Sequence, residues 1–315
     1  MERLLSVSHT REMSFANLEE WAATVGAKQP GAHEACYKST ACGGSVCMPV
    51  GTRLLLVGDS VVRYMYLSLA YALVHGSENT YDGGTQGRGS LIYERRGWGG
   101  WPNFLNGTNA LLSPHELCDC HRGHSITDAT ENRYFSFGGV RIAYISYIGS
   151  GRLHGNWWPN GTVDLRNYAP GPLFARAKAF AWKQPLLKAL PWLVAELQPT
   201  VIVMSGAAHH MNFRTTNLTN MMGALARVLH HGGRRVVWET PTSTLQGGQR
   251  SDRPAAAPHF TDIFDAYQLT AGFNSTNYWF HDYLKDKIHF RSRANNFLNW
   301  HLLRHLFGAR SSGCQ

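Results

Sequence analysis

Arg53-Leu54-Leu55-Leu56-Val57-Gly58-Asp59-Ser60 reads as a buried strand closing in a Gly-containing turn. Val61 to His75 follows as a helix, with Val62, Met65, Tyr66, Leu69 and Leu73 at helical spacing. The alternation continues downstream. Val140 to Ile148 and Thr200 to Met204 read as strands, Phe174 to Leu197 as a helix broken at Pro185 or Pro191, and Leu218 to His231 as a helix ending at Gly232-Gly233. Arg235 to Glu239 is the next strand, Phe260 to Leu269 a helix, and Ala294 to Phe307 the last helix. Strands separated by helices of this length pair in parallel through right-handed crossovers, which predicts an α/β fold: a three-layer α/β/α sandwich on a mainly parallel sheet. Gly76 to Phe137, rich in Gly, Asn, Asp and Ser, reads as a long irregular insertion after the first helix. Residues 1–50 read as an irregular, cysteine-containing extension and 51–315 as one domain, since 315 residues fit one sizeable core better than two equal ones.

A strand that ends in such a turn exposes one hydroxyl at the carboxyl edge of the sheet, where open α/β folds place their ligands. Ser60 is that hydroxyl. An alcohol attacks a carbonyl only after a base takes its proton, so Ser60 needs a histidine and a group to orient it. Asp286-Lys287-Ile288-His289 supplies both: among the aspartates of this chain only Asp286 has a histidine three positions later, and Gly58-Asp59-Ser60 is the one Gly-Asp-Ser. The competing account is a turn whose Asp59 or Ser60 caps the following helix, with His289 an ordinary core or surface histidine.

Gly58-Asp59-Ser60-Val61-Val62-Arg63 with the late Asp286-x-x-His289 resembles the SGNH/GDSL hydrolase superfamily. More narrowly it is similar to the PC-esterase branch, which holds the trichome-birefringence-like polysaccharide O-acetyltransferases and the sialate O-acetyltransferase-like proteins. The resemblance spans about residues 53 to 307 and implies an SGNH (flavodoxin-like) sandwich, with Ser60 as nucleophile, His289 as base and Asp286 as the acid that orients it. It also implies oxyanion stabilisation by Arg63. The superfamily's third block brings an asparagine to that site, whereas Val201-Ile202-Val203-Met204-Ser205-Gly206-Ala207-Ala208-His209-His210-Met211-Asn212 has none beside Gly206. Gly206 backbone, His209 or Asn212 is then the substitute donor. The implied function is O-acyl, chiefly O-acetyl, transfer to a carbohydrate, with a glycan O-acetyl esterase and a catalytically inactive glycan-binding protein as alternatives. No resident cofactor is implied; an acyl donor such as acetyl-CoA would be a co-substrate.

Composition narrows the rest. Hydrophobic residues make up 43% and charged residues 16%, as in ordinary globular chains, and no segment approaches the ~20 apolar residues of a membrane span. The net charge of +9 is dispersed, with pairs such as Arg95-Arg96 and Arg234-Arg235 but no long run, which argues against nucleic-acid binding. Met1 to Glu20 is not a signal peptide. Sequons at Asn106, Asn160, Asn217 and Asn274, with cysteines at 36, 42, 47, 118, 120 and 314, nonetheless point to the secretory route, Golgi lumen or extracellular, with the targeting segment missing. A cytoplasmic protein with reduced thiols is the alternative. Cys118-Asp119-Cys120-His121-Arg122-Gly123-His124 offers zinc ligands, but Cys-x-Cys is closer than the usual spacing, so no metal is assigned. Trp98, Trp101, Trp157 and Trp158 lie in Gly-rich loops, where flat rings stack on sugars or plug gaps in the core.

Overall fold

The computed structural model describes residues 21–23, 35–39, 43–78, 101–122, 129–146, 162–163, 184–205, 215–230, 233–243, 251–271, 273, 289–290 and 292–308. At its centre is β3 (Arg53–Gly58), whose Leu54, Leu55, Leu56 and Val57 are buried on both faces, as a central parallel strand requires. Around it lie β4 (Glu116–Arg122), β5 (Ala129–Phe137), β6 (Val140–Ser146), β9 (Val201–Ser205), β10 (Arg235–Glu239) and β11 (Ile263–Phe264). They form one seven-stranded sheet in the order β11-β10-β9-β3-β6-β5-β4. The β11, β10, β9, β3 and β6 neighbours pair in parallel, while β5 and β4 add an antiparallel limb.

Side chains alternate across the sheet, and each set finds its own helices. Leu54, Leu56, Ile142, Tyr144, Val201, Val203 and Val237 pack with α1 (Ser60–His75), α2 (Trp101–Leu112) and α7 (Ser292–Phe307). Leu55, Val57, Ala143, Ile145, Ile202, Met204, Val236 and Trp238 pack instead with α3 (Leu186–Leu197), α4 (Thr215–Leu229) and α5 (Arg253–Ala256). Helices therefore flank both faces, an arrangement compatible with a three-layer sandwich. Each such buried aliphatic side chain contributes roughly 1.5–3 kcal/mol. Among the described residues no helix is long and apolar enough to cross a membrane.

The elements refine the sequence reading in four places. Part of the stretch read as an irregular insertion is regular: it holds α2, β4 and β5, and β5 turns into β6 through Gly138-Gly139, both at positive φ. A two-residue Gly-Gly link matches the twist of a hairpin, so the antiparallel limb follows from a short-range signal. The helix read over Phe260 to Leu269 instead contains β11 and then a single turn, α6 (Ala266–Thr270), capped by the Asp265 side chain. The extension before residue 51 contains the hairpin β1 (Cys36–Ser39) and β2 (Gly44–Cys47), closed by a Cys36–Cys47 disulfide. Its Ala35, Tyr37, Val46 and Met48 enter the same core as α1 and α7. The helix α3 starts after Pro185 and runs through Pro191. Two short strands, β7 (Thr162–Val163) and β8 (Gln184–Pro185), pair apart from the main sheet.

From β3 the chain visits β6 on one side and then crosses to β9 on the other. The order thus reverses at β3, and the crevice beyond the carboxyl ends of β3 and β9 is where open sheets bind ligands.

Candidate active site

Gly58 ends β3 where α1 folds back across it. A Cβ there would overlap the Val62 Cγ2 methyl and lie 2.8 Å from Val62 Cβ, so only glycine lets the helix turn this tightly. Asp59 is buried and caps α1, its Oδ1 accepting from the Val61 amide at 2.9 Å. The Tyr144 hydroxyl, on β6, donates to the Asp59 carbonyl at 3.0 Å and has the Gly58 carbonyl 3.3 Å away. This turn makes Ser60 the first residue of the helix, at the sheet's carboxyl edge.

His289 arrives from the opposite end of the chain. Phe290 is buried against Phe273, Asn295 Nδ2 donates to the Phe290 carbonyl at 3.2 Å, and Asn299 Nδ2 donates to the Met65 carbonyl of α1 at 2.9 Å. Docking of α7 on α1 thereby sets His289 over the start of α1. The Ser60 Oγ and His289 Nε2 atoms are 2.6 Å apart although 229 positions separate them in sequence. A hydroxyl within hydrogen-bond reach of an imidazole nitrogen is the contact that proton removal from a nucleophile requires. Both residues are partly exposed.

The Tyr64 ring meets the imidazole of His289 edge-on, with centroids 5.2 Å apart and planes at 86°. The Arg63 guanidinium carbon sits 4.5 Å from the Tyr64 ring centroid and 5.5 Å from that of Phe104. Arg63 is 4% exposed, and its Nη1 bonds Glu131 Oε2 at 3.1 Å. Burial opposes the charge of Glu131, but the facing guanidinium groups of Arg63 and Arg133 outweigh it and hold the carboxyl below the usual range.

Of the residues singled out in the sequence, Ser60 and His289 are brought together, and Arg63 stands one turn below Ser60 in its ion pair with Glu131. Asp286, Gly206 and His209 lie outside the described residues, as do Asn212, Trp98, Trp157 and Trp158. Cys118 and Cys120 are joined in a disulfide, which removes both thiolates from any metal. Sequence reasoning passed over Tyr64, Glu131, Arg133 and Tyr144. No local signal marked Glu131 and Arg133: their alternate spacing in Ala129 to Phe137 puts both on one face only once that segment is known to be a strand.

Another carboxyl group stands at this edge. Glu239 ends β10, is 1% exposed, and is pushed up to about 8 by its burial and by the nearby carboxylates of Asp59 and Asp252. Asp252 accepts from Trp238 Nε1 at 3.1 Å and is itself raised to about 7, chiefly by burial. Among the described residues no three His, Cys, Asp or Glu side chains group as a metal would need.

No protein-family model matches the chain, and no curated protein is significantly similar to it.

Proposed function

We propose that the chain is a serine-dependent O-acyl transferase of the SGNH type, with acetyl as the acyl group and a carbohydrate hydroxyl as the acceptor. The observation that carries this reading is the 2.6 Å contact between Ser60 and His289 at the switch point of a parallel sheet. His289 takes the Ser60 proton, the alkoxide attacks the acyl carbonyl, and collapse of the tetrahedral adduct releases the donor, which regains a proton from His289. Asp286 is assigned the role of holding the imidazole. Within the first turn of α1 the Val61 amide is taken by Asp59 Oδ1 and the Arg63 amide by the Asp59 carbonyl, so the amides of Ser60 and Val62 are the backbone donors proposed for the oxygen that gains charge. Arg63 adds a fixed positive charge one turn below, with Gly206 and His209 as further donors. The acyl-enzyme then passes to a sugar hydroxyl, or to water if the enzyme is an esterase. An acyl donor such as acetyl-CoA enters as co-substrate.

The two disulfides favour an oxidising lumen for this work, and the absence of a membrane-crossing helix among the described residues is compatible with it. The test is labelling with a fluorophosphonate probe. Wild type is expected to label, and Ser60→Ala and His289→Ala to lose the label. Acetate gained by a bare polysaccharide identifies transfer, whereas acetate released from an acetylated one identifies hydrolysis. An unlabelled wild-type chain that still binds glycan would overturn the proposal in favour of a binding protein without chemistry.

A further inference from the structure

The nucleophile's helix is joined to the antiparallel limb through buried charge. Glu131 accepts from Arg63 through Oε2 at 3.1 Å and from Arg133 Nε through Oε1 at 2.7 Å. Arg133 Nη1 forks onto Glu116 at 3.0 and 3.2 Å, and its Nη2 donates to Thr108 Oγ1 at 2.9 Å. The Tyr66 hydroxyl, one turn beyond Arg63, donates to Glu116 at 2.8 Å. All four charged residues are buried, and two guanidinium groups balance two carboxylates. Burying such a set is no more stabilising than apolar packing of equal volume, and often less, so its retention calls for another account.

That account lies in what Arg63 touches on its other side. Its guanidinium lies over the Tyr64 ring, and the Tyr64 ring stands edge-on behind the His289 imidazole, the one whose Nε2 faces Ser60. A cation held over a ring restricts that ring, and an edge-on ring restricts the one beside it. On the acyl-transfer reading above, we infer that Glu131 and Tyr64 are positioning residues for the general base: Glu131 fixes Arg63, Arg63 clamps the Tyr64 ring, and that ring keeps His289 Nε2 aimed at the Ser60 hydroxyl. Neither residue meets the reacting atoms.

Two charge-balanced double variants separate positioning from mere structure. Glu131→Gln with Arg133→Gln removes the anchor of Arg63 and leaves Arg63 and Glu116 as the remaining opposite pair. Glu116→Gln with Arg133→Gln removes as much of the network but keeps the Glu131–Arg63 pair. The first is expected to slow fluorophosphonate labelling of Ser60 and lower kcat by about 10-fold to 100-fold with little change in KM, the loss associated with a misplaced catalytic group. The second should stay within about 3-fold of wild type, and Tyr64→Phe should retain most of the rate that Tyr64→Leu loses. The second readout is the NMR shift of the His289 ring protons, which lie in the ring current of Tyr64. They should move in the Glu131 double variant and in Tyr64→Leu, and hold in the Glu116 double variant. Equal labelling rates and unchanged His289 shifts in both doubles, at equal folded fraction, would overturn the inference. If wild type fails to label but the His289 shifts follow the stated pattern, the acyl-transfer reading falls while the relay stands.

Discussion

At the scale of single residues, the turn before Ser60 is the most constrained point in the chain. Gly58→Ala forces a methyl into Val62, and since α1 is packed along its length the strain has no outlet; a loss of about 1–3 kcal/mol is expected in urea unfolding, with slower labelling of Ser60. Glu239 gives a pH test. Unfolded, it loses its proton near the ordinary 4.5; folded, it keeps it to about 8. Between those values the unfolded chain binds fewer protons, so stability falls as pH rises through the window. Glu239→Gln imitates the neutral acid and should match wild type near pH 4.5 but melt higher near pH 8.5, with a residual slope of the same sign left by Asp252. That Ser60 and His289 come together was legible because each sits in a short pattern of residue types able to share a proton. Tyr64 and Glu131 were not, since an aromatic in a buried helix and an acid in a polar strand gain meaning only when the fold brings them to the same place.

At the scale of elements, the parallel strands were readable because continuous apolar runs have few alternatives, and Arg235 to Glu239 is found with the boundaries its sequence suggests. The antiparallel limb was missed because β4 and β5 carry Glu116, Glu131 and Arg133 inward, which disguises the alternation expected of a half-buried strand. The hairpin β1–β2 was hidden by its length, and its disulfide closes a loop spanning 11 positions. Cys36→Ser with Cys47→Ser should lower stability by about 2–3 kcal/mol, measured by denaturant unfolding, because the open loop regains freedom in the unfolded chain. At the far end of α7, Arg235 donates to the carbonyls of His305 and Leu306 and, with His305, holds Asp262. Burial works against the Asp262 charge, but these partners outweigh it and keep its carboxyl below the usual 3.8. Its stabilising effect is therefore complete above that value and lost as pH falls through the depressed one. Arg235→Ala should shrink this acid-side slope, with a remainder left by His305, seen as a flatter melting profile below pH 5.

At the scale of the whole molecule, the strength of the sheet is graded from its centre. The strands β3, β6, β9 and β10 have partners on both sides and helices on both faces, whereas β4 and β11 have one neighbour each. Within this sheet, hydrogen exchange should accordingly be slowest in β3 and β9 and fastest in β4 and β11. The α/β class was legible from alternating runs alone. Apart from the meeting of Ser60 with His289 that the two motifs implied, which residues pack together across that sheet was not, because long-range proximity is set by packing rather than by any local pattern. That distance in sequence also has a temporal side. A chain made from its amino terminus has Ser60 early, yet the helix that sets His289 in place ends only at Phe307. While a nascent chain still holds that helix inside the ribosome, the Ser60 hydroxyl has no His289 imidazole within reach, so any exchange of a proton between them must await the emergence of α7.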